Sequence, residues 1–142
     1  MTLAVQVVGT NYIQQAWPVV RTYIESALAS EDFPAWSDSY NIEHVRGFVT
    51  SGQWVLLVVI DEDLKVHGCA TISFMNYPLH RVAFITTIGG KLIASRDTFN
   101  QLKAILKELG ATKIQGFGKP SIVRLWRRFN FEPRTMLVEA PL

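Results

Sequence analysis

One cysteine, Cys69, is all that the 142 residues contain. No disulfide can form within the chain, and a reducing compartment suits it. The thiol lies in the apolar run Gly68-Cys69-Ala70-Thr71-Ile72, which predicts a buried structural cysteine rather than a nucleophile. Charge is scarce as well: 18% of residues are charged and the formal net charge is +2. That surplus is too small to announce a nucleic-acid or membrane partner. Long hydrophobic runs are missing. The longest, Trp54 to Ile60, falls far short of a membrane span. Met1-Thr2-Leu3-Ala4-Val5 lacks a basic region followed by a signal-length apolar stretch. These absences predict a soluble, cytoplasmic protein. The three histidines are scattered, and with the one cysteine they make no ligand cluster, so no metal is expected. What remains is ample apolar material: 49% of the chain is hydrophobic. That argues against disorder and predicts a single domain over residues 1–142 with a real core.

Periodicity divides the chain. Trp17, Val20, Ile24 and Leu28 share one helical face, and Pro18 requires that helix to start close by. Residues 31–38 hold turn and breaker types and read as a loop. Asn41 is placed to cap a short helix that buries Val45, Phe48 and Val49 and that Gly52 ends. Trp54 to Ile60 is nearly continuous and β-branched, as in a strand covered on both faces. A charged turn at Asp61-Glu62-Asp63 leads to a hairpin partner from Val66 to Phe74, and Arg81 to Ile88 forms a third strand closed by Gly89-Gly90. Phe99, Leu102, Leu106 and Leu109 mark a helix with Gly110 as its stop. Thr112 to Phe117 is a short strand. Ile122, Leu125, Trp126 and Phe129 mark a last helix stopped at Asn130, and Met136 to Val138 a last strand. The expected order is ααβββαβαβ, an α/β fold whose mixed, mostly antiparallel sheet contains one parallel pair at the strand–helix–strand step.

The stretch Lys119-Pro120-Ser121-Ile122-Val123-Arg124-Leu125-Trp126-Arg127-Arg128-Phe129-Asn130-Phe131-Glu132 resembles the final helix of the GNAT N-acetyltransferase superfamily, and the element order resembles that family over nearly the whole chain. Ala16-Trp17-Pro18, Ile42-Glu43, Tyr77-Pro78 and Thr87-Ile88-Gly89-Gly90 are similar to features of the small GNAT-like proteins of tailed bacteriophages. The resemblance implies a central strand that splays from its parallel neighbour, so that the pantetheine of acetyl-CoA pairs with exposed backbone. It also implies a glycine-rich loop that receives the pyrophosphate at the next helix N-terminus, where free N–H groups and the helix dipole favour an anion. On this resemblance the candidate acetyl-CoA contacts are Thr87, Ile88, Gly89, Ser95, Arg96, Thr98 and Arg124.

The matching loop, Ala94-Ser95-Arg96-Asp97-Thr98-Phe99, has no glycine, and Asp97 in the first helical turn repels a phosphate. Lys91 and Arg96 could offset that charge, and Ser95 or Thr98 could donate hydrogen bonds. The balance favours the plainer alternative, in which Ser95 caps the helix, Asp97 answers its dipole, and the groove is narrowed near Asp97. Trp126 stands where many members carry an acidic tyrosine, and it reads as core filling. His44, His67, His80, Glu43 and Glu62 are the available bases, and no dyad is recognisable among them. Lys119, Arg124, Arg127 and Arg128 could meet a coenzyme A phosphate, a nucleic acid or an acidic protein, with a solvated helical face as the ordinary explanation.

Two functions follow. One is an acyl-CoA N-acyltransferase. The other is a non-enzymatic protein that reuses the fold to bind a viral structural or host protein, in the host cytoplasm or the virion. For the latter, Phe33, Trp36 and Tyr40 either anchor a partner or fold back over the sheet. The degenerate loop tilts the balance towards weak or absent acyl-CoA use.

Overall fold

A computed structural model describes residues 2–30 and 39–142. Among them the order is β1 (Ala4–Val8), α1 (Ile13–Ala29), α2 (Ile42–Ser51), β2 (Trp54–Ile60), β3 (Val66–Asn76), β4 (Arg81–Gly90), α3 (Arg96–Glu108), β5 (Lys113–Gln115) and α4 (Pro120–Trp126). Short 3₁₀ turns precede α1 and follow α4. The strands form one sheet in the order β1-β2-β3-β4-β5, with β4 and β5 parallel and every other neighbouring pair antiparallel. The fold class is thus the mixed, mostly antiparallel α/β arrangement expected.

The order departs from expectation at both ends. The chain opens on a strand, because Val5 is buried and residues 4–8 pair with β2 in register Ala4↔Ile60 to Val8↔Leu56. At the other end Met136, Leu137 and Val138 form no strand and stand 86%, 67% and 86% exposed. Apolar character alone does not make a strand unless the segment pairs with a neighbour. Residues 31–38, including Phe33 and Trp36, lie outside the described residues.

α1 buries Ile13, Trp17, Val20, Ile24, Ala27 and Leu28, one stripe at helical spacing. It begins at Ile13, so Pro18 sits at its sixth position, farther inside than the sequence pattern required. The missing N–H leaves the Gln14 carbonyl without its helical donor. α1 lies against β3 and β4. Cys69 Sγ faces the Val20 carbonyl at 3.9 Å, and burial pushes its thiol up to about 12. The thiol is therefore inert at neutral pH. Gly89 lets the helix come close: a Cβ there would lie 2.8 Å from the Tyr23 carbonyl oxygen.

α2 is capped as expected. The Asn41 side chain accepts from His44 N–H, the His44 ring accepts from Asn41 N–H, and Gly52 closes the helix at φ 82°. Phe48 of α2 stacks on Trp54 of β2 at 4.5 Å. Strand alternation turns Ile72 and Ile85, which pair across β3 and β4, to the opposite face. There Ile85 and Trp126 both close on Gly116, and Phe99, Trp126, Phe129 and Phe131 join α3 to α4 through ring contacts of 5.1–5.4 Å. Leu109 and Leu125, expected on inward faces, are 39% and 43% exposed.

Gln101 ties α3 to the sheet edge. Its Oε1 accepts from Val5 N–H at 2.9 Å, and its Nε2 donates to the Leu3 carbonyl at 3.0 Å. The same Nε2 also reaches Asp97 Oδ2 at 3.1 Å.

Candidate functional site

The parallel ladder between β4 and β5 is three pairs long: Val82↔Lys113, Ala83↔Ile114 and Phe84↔Gln115. β4 runs on to Gly90, still paired with β3 on its other side. From Ile85 onward it therefore has no strand on its β5 side among the described residues. An unpaired stretch of backbone in a sheet interior offers N–H and C=O groups to a ligand. The ladder ends at Gln115, although Gly116 still lies against the Ile85 side chain and Phe117 meets Phe84 edge-on at 5.0 Å.

A bulge marks the start of this open stretch. Ile72 pairs with Ile85 but Thr71 pairs with Thr87, so Thr86 is the extra residue. Three buried hydroxyls knit it together. Thr71 Oγ1 lies 2.7 Å from both Thr86 Oγ1 and Thr87 Oγ1, and Thr86 Oγ1 donates to the Thr71 carbonyl at 2.9 Å. One consistent run is Thr87 to Thr71 to Thr86 to the Thr71 carbonyl, every hydroxyl donating once. The Thr86 carbonyl accepts from the Tyr40 hydroxyl, and the Tyr40 ring is edge-on to Trp54 at 5.0 Å. Burial holds the Tyr40 hydroxyl well above the usual tyrosine range.

The open edge leads through Gly90 to the N-terminus of α3. Ser95 caps that helix: its Oγ accepts from Thr98 N–H at 3.2 Å, and the two side-chain oxygens lie 3.1 Å apart. Thr98 Oγ1 also donates to the Ser95 carbonyl at 3.2 Å. The N–H groups of Arg96 and Asp97 find no acceptor among the described residues. Asp97 projects towards Gln101 on the β1 side. Arg96 Nη2 donates to the Arg128 carbonyl at 3.0 Å, which ties the loop to the end of α4.

The seven candidate residues are thus placed unequally. Thr87, Ser95 and Thr98 spend their hydroxyls on internal bonds, with Thr87 and Thr98 0% and 1% exposed. The gap left by the missing Cβ of Gly89 is filled by Tyr23. Ile88 is half-buried at the open edge, and Arg96 and Arg124 are exposed. Trp126 is 7% exposed, a core residue.

The three imidazoles are all engaged: His44 in the α2 cap, His80 with Thr112 Oγ1 at 2.9 Å, and His67 with Asp61. The last pair joins His67 to a carboxylate that is not among the candidate bases. His67 Nε2 lies 2.8 Å from Asp61 Oδ2, with side chains 15% and 10% exposed. The hydrogen bond from His67, then the N–H of Lys65, hold the Asp61 carboxyl below its ordinary range. The pair sits at the β2–β3 turn, and the bulge opposite Ile60 is what turns His67 towards Asp61. No group of three or more metal-ligating side chains occurs among the described residues.

Comparison with known proteins places the fold. No protein-family model and no curated protein matches the sequence. Solved structures do match. An aminoglycoside acetyltransferase from an uncultured soil metagenomic sample superposes with a TM-score of 0.68 at 12% identity, covering 100% of this chain and 99% of its own. A predicted acetyltransferase of Clostridium acetobutylicum, solved with acetyl-CoA, gives 0.62 at 13% identity over 99% and 96%. A tetramutant of the BH1408 protein of Bacillus halodurans gives 0.69 at 14% over 97% and 99%. The fold is that of the GNAT-like acetyltransferases. Identities this low speak for the fold and leave the activity to the site itself.

Proposed function

We propose that the chain binds an acyl-CoA along the open edge of β4 and transfers the acyl group to an amine. The observation that carries this reading is the wedge itself. Pairing with β5 stops at Phe84, β4 continues to Gly90, and the edge ends at a helix whose first two N–H groups lack acceptors among the described residues.

The residues present fit such a ligand in part. Backbone from Ile85 to Gly89 would meet the pantetheine arm. The Arg96 and Asp97 N–H groups, with the dipole of the 13-residue α3 behind them, would receive the pyrophosphate. Arg96 and Arg124 would add positive charge, and Lys91 stands exposed shortly before Arg96 in sequence. The Asp97 carboxylate opposes an anion, and its bond to Gln101 directs it to the flank facing β1. When bound, acyl-CoA supplies an acyl group activated as a thioester. The chain's own contribution is then to hold and orient: the threonine cluster fixes the bulge, and the Ser95 cap fixes the start of α3. With every imidazole engaged elsewhere, the amine is expected to arrive neutral or to pass its proton to water.

A second reading keeps the fold without the cofactor. The loop Ala94–Phe99 has no glycine, and buried Trp126 replaces an acidic hydroxyl. On that reading the surface serves a viral structural or host protein instead.

Thermal unfolding separates the two. Acetyl-CoA at about 100 times its dissociation constant stabilises by about 2.7 kcal/mol, a rise of roughly 5–11 °C for a chain of this size. Desulfo-CoA and free nucleotide serve as controls, and Arg96→Glu should abolish the rise. No shift at millimolar acetyl-CoA would end the acyltransferase reading and favour the second.

A further inference from the structure

Tyr40 has no part in the reading above, yet it occupies the wedge. It arrives from the segment before α2, and its hydroxyl donates to the carbonyl of Thr86, two residues beyond the last β4–β5 pair. In a continuing ladder a strand carbonyl takes its donor from a neighbouring strand. Here a side chain 46 residues away in sequence supplies it. The ring is held by Trp54, which is held in turn by Phe48 of α2. The phenol therefore fills one of the acceptor positions that a ligand lying along β4 would use. From Gly90 back to Thr86 is four residues of strand, about 13 Å, so this plug stands at the inner end of the open edge. Because burial raises the tyrosine further above a thiol's range, the group is a persistent donor and a poor acid for a departing thiolate.

We infer that Tyr40 is a displaceable latch: its hydroxyl holds the Thr86 carbonyl in the ligand-free protein and yields that carbonyl to an N–H donor of the incoming acyl-CoA. For its ligand the inference rests on the acyl-CoA reading. Its contacts make it a positioning residue with a distinctive sign. A residue that merely supports the site weakens binding when altered, whereas removing a competitor strengthens it.

The test is Tyr40→Phe, which keeps the ring against Trp54 and deletes the hydroxyl. Isothermal titration of the full chain with acetyl-CoA should show binding about two- to tenfold tighter than wild type, the worth of one neutral hydrogen bond. Equal or weaker binding by Tyr40→Phe, with the wild type binding, would overturn the latch and leave the acyl-CoA reading intact. Hydrogen exchange without ligand supplies the second readout. Residues 40–48 should exchange faster in Tyr40→Phe by a similar factor, while the core of α1 stays unchanged. Should neither protein bind acetyl-CoA, the acyl-CoA reading falls and with it the latch's ligand. Unchanged exchange over 40–48 would overturn the latch whatever the titration shows.

Discussion

Replacing Gly89 by alanine asks whether that glycine serves the packing of α1 or a ligand. The added Cβ would lie 2.8 Å from the Tyr23 carbonyl oxygen, 3.4 Å from its carbon and 3.5 Å from Tyr23 Cβ. The two nearest atoms are backbone, so no rotamer change relieves the clash, and α1 or β4 must retreat. Overpacking of this kind costs about 1–3 kcal/mol. At roughly 2–4 °C per kcal/mol for a chain of this length, Tm should fall by about 2–12 °C. Gly47→Ala supplies the control. It lies within α2, and a Cβ there meets nothing within 4 Å. Alanine should gain about 0.5–1 kcal/mol of helix propensity and raise Tm by about 1–4 °C. The same chemical change thus has opposite signs at two sites. Thermal melts followed by circular dichroism, with urea titrations to check that m is unchanged, measure both. A Gly89→Ala protein that melts at or above the wild-type temperature would refute the close approach of α1 and free that glycine for a ligand role.

Two further outcomes follow from the polar clusters. Asp61 has a folded pKa lowered by His67, so its stabilisation is present above the unfolded value of about 3.9 and is lost as pH falls through the folded value. Asp61→Asn should therefore destabilise near pH 6, with the gap to wild type closing below about pH 4; a gap independent of pH in denaturant titrations would exclude the charge as its source. Thr71→Val strands the Thr87 hydroxyl and should cost about 1–3 kcal/mol, whereas valine at 71, 86 and 87 together should cost less than that single change, because no partner is left unpaired. Strict additivity across the series would contradict the hydroxyl chain.

The central elements were legible because each carries its own local signal. β2 runs from Trp54 to Ile60 as its continuous apolar run indicates, and Asn41, Gly52 and Asn130 cap or stop helices as their side chains and backbone freedom favour. The ends were not legible. Residues 4–8 form a strand only because they pair with the edge of β2, and Met136 to Val138 look like a strand in sequence but pair with no described strand. In the site, the glycine-free loop was visible in the sequence, and its capping role at Ser95 follows local chemistry. The Tyr40–Thr86 bond was beyond reach, since no spacing rule links residues 46 apart. His67 and Asp61 are six apart, but only the bulge at Val59/Ile60 turns one towards the other. An irregularity in pairing leaves no mark on hydrophobic alternation.

The Gln101 amide has a consequence for how this protein can grow. By answering Val5 N–H and the Leu3 carbonyl together, it acts as a single counterfeit residue of a sixth strand laid beside β1. Among the described residues nothing pairs with the outer side of β5. The two flanks thus differ: a side chain answers the start of β1, and among the described residues none answers the edge of β5. An added strand, from inserted sequence or from another molecule, meets two groups already satisfied at the start of β1 and, among the described residues, none satisfied on the outer side of Lys113–Gln115. Extension, useful or pathological, meets less obstruction beyond β5.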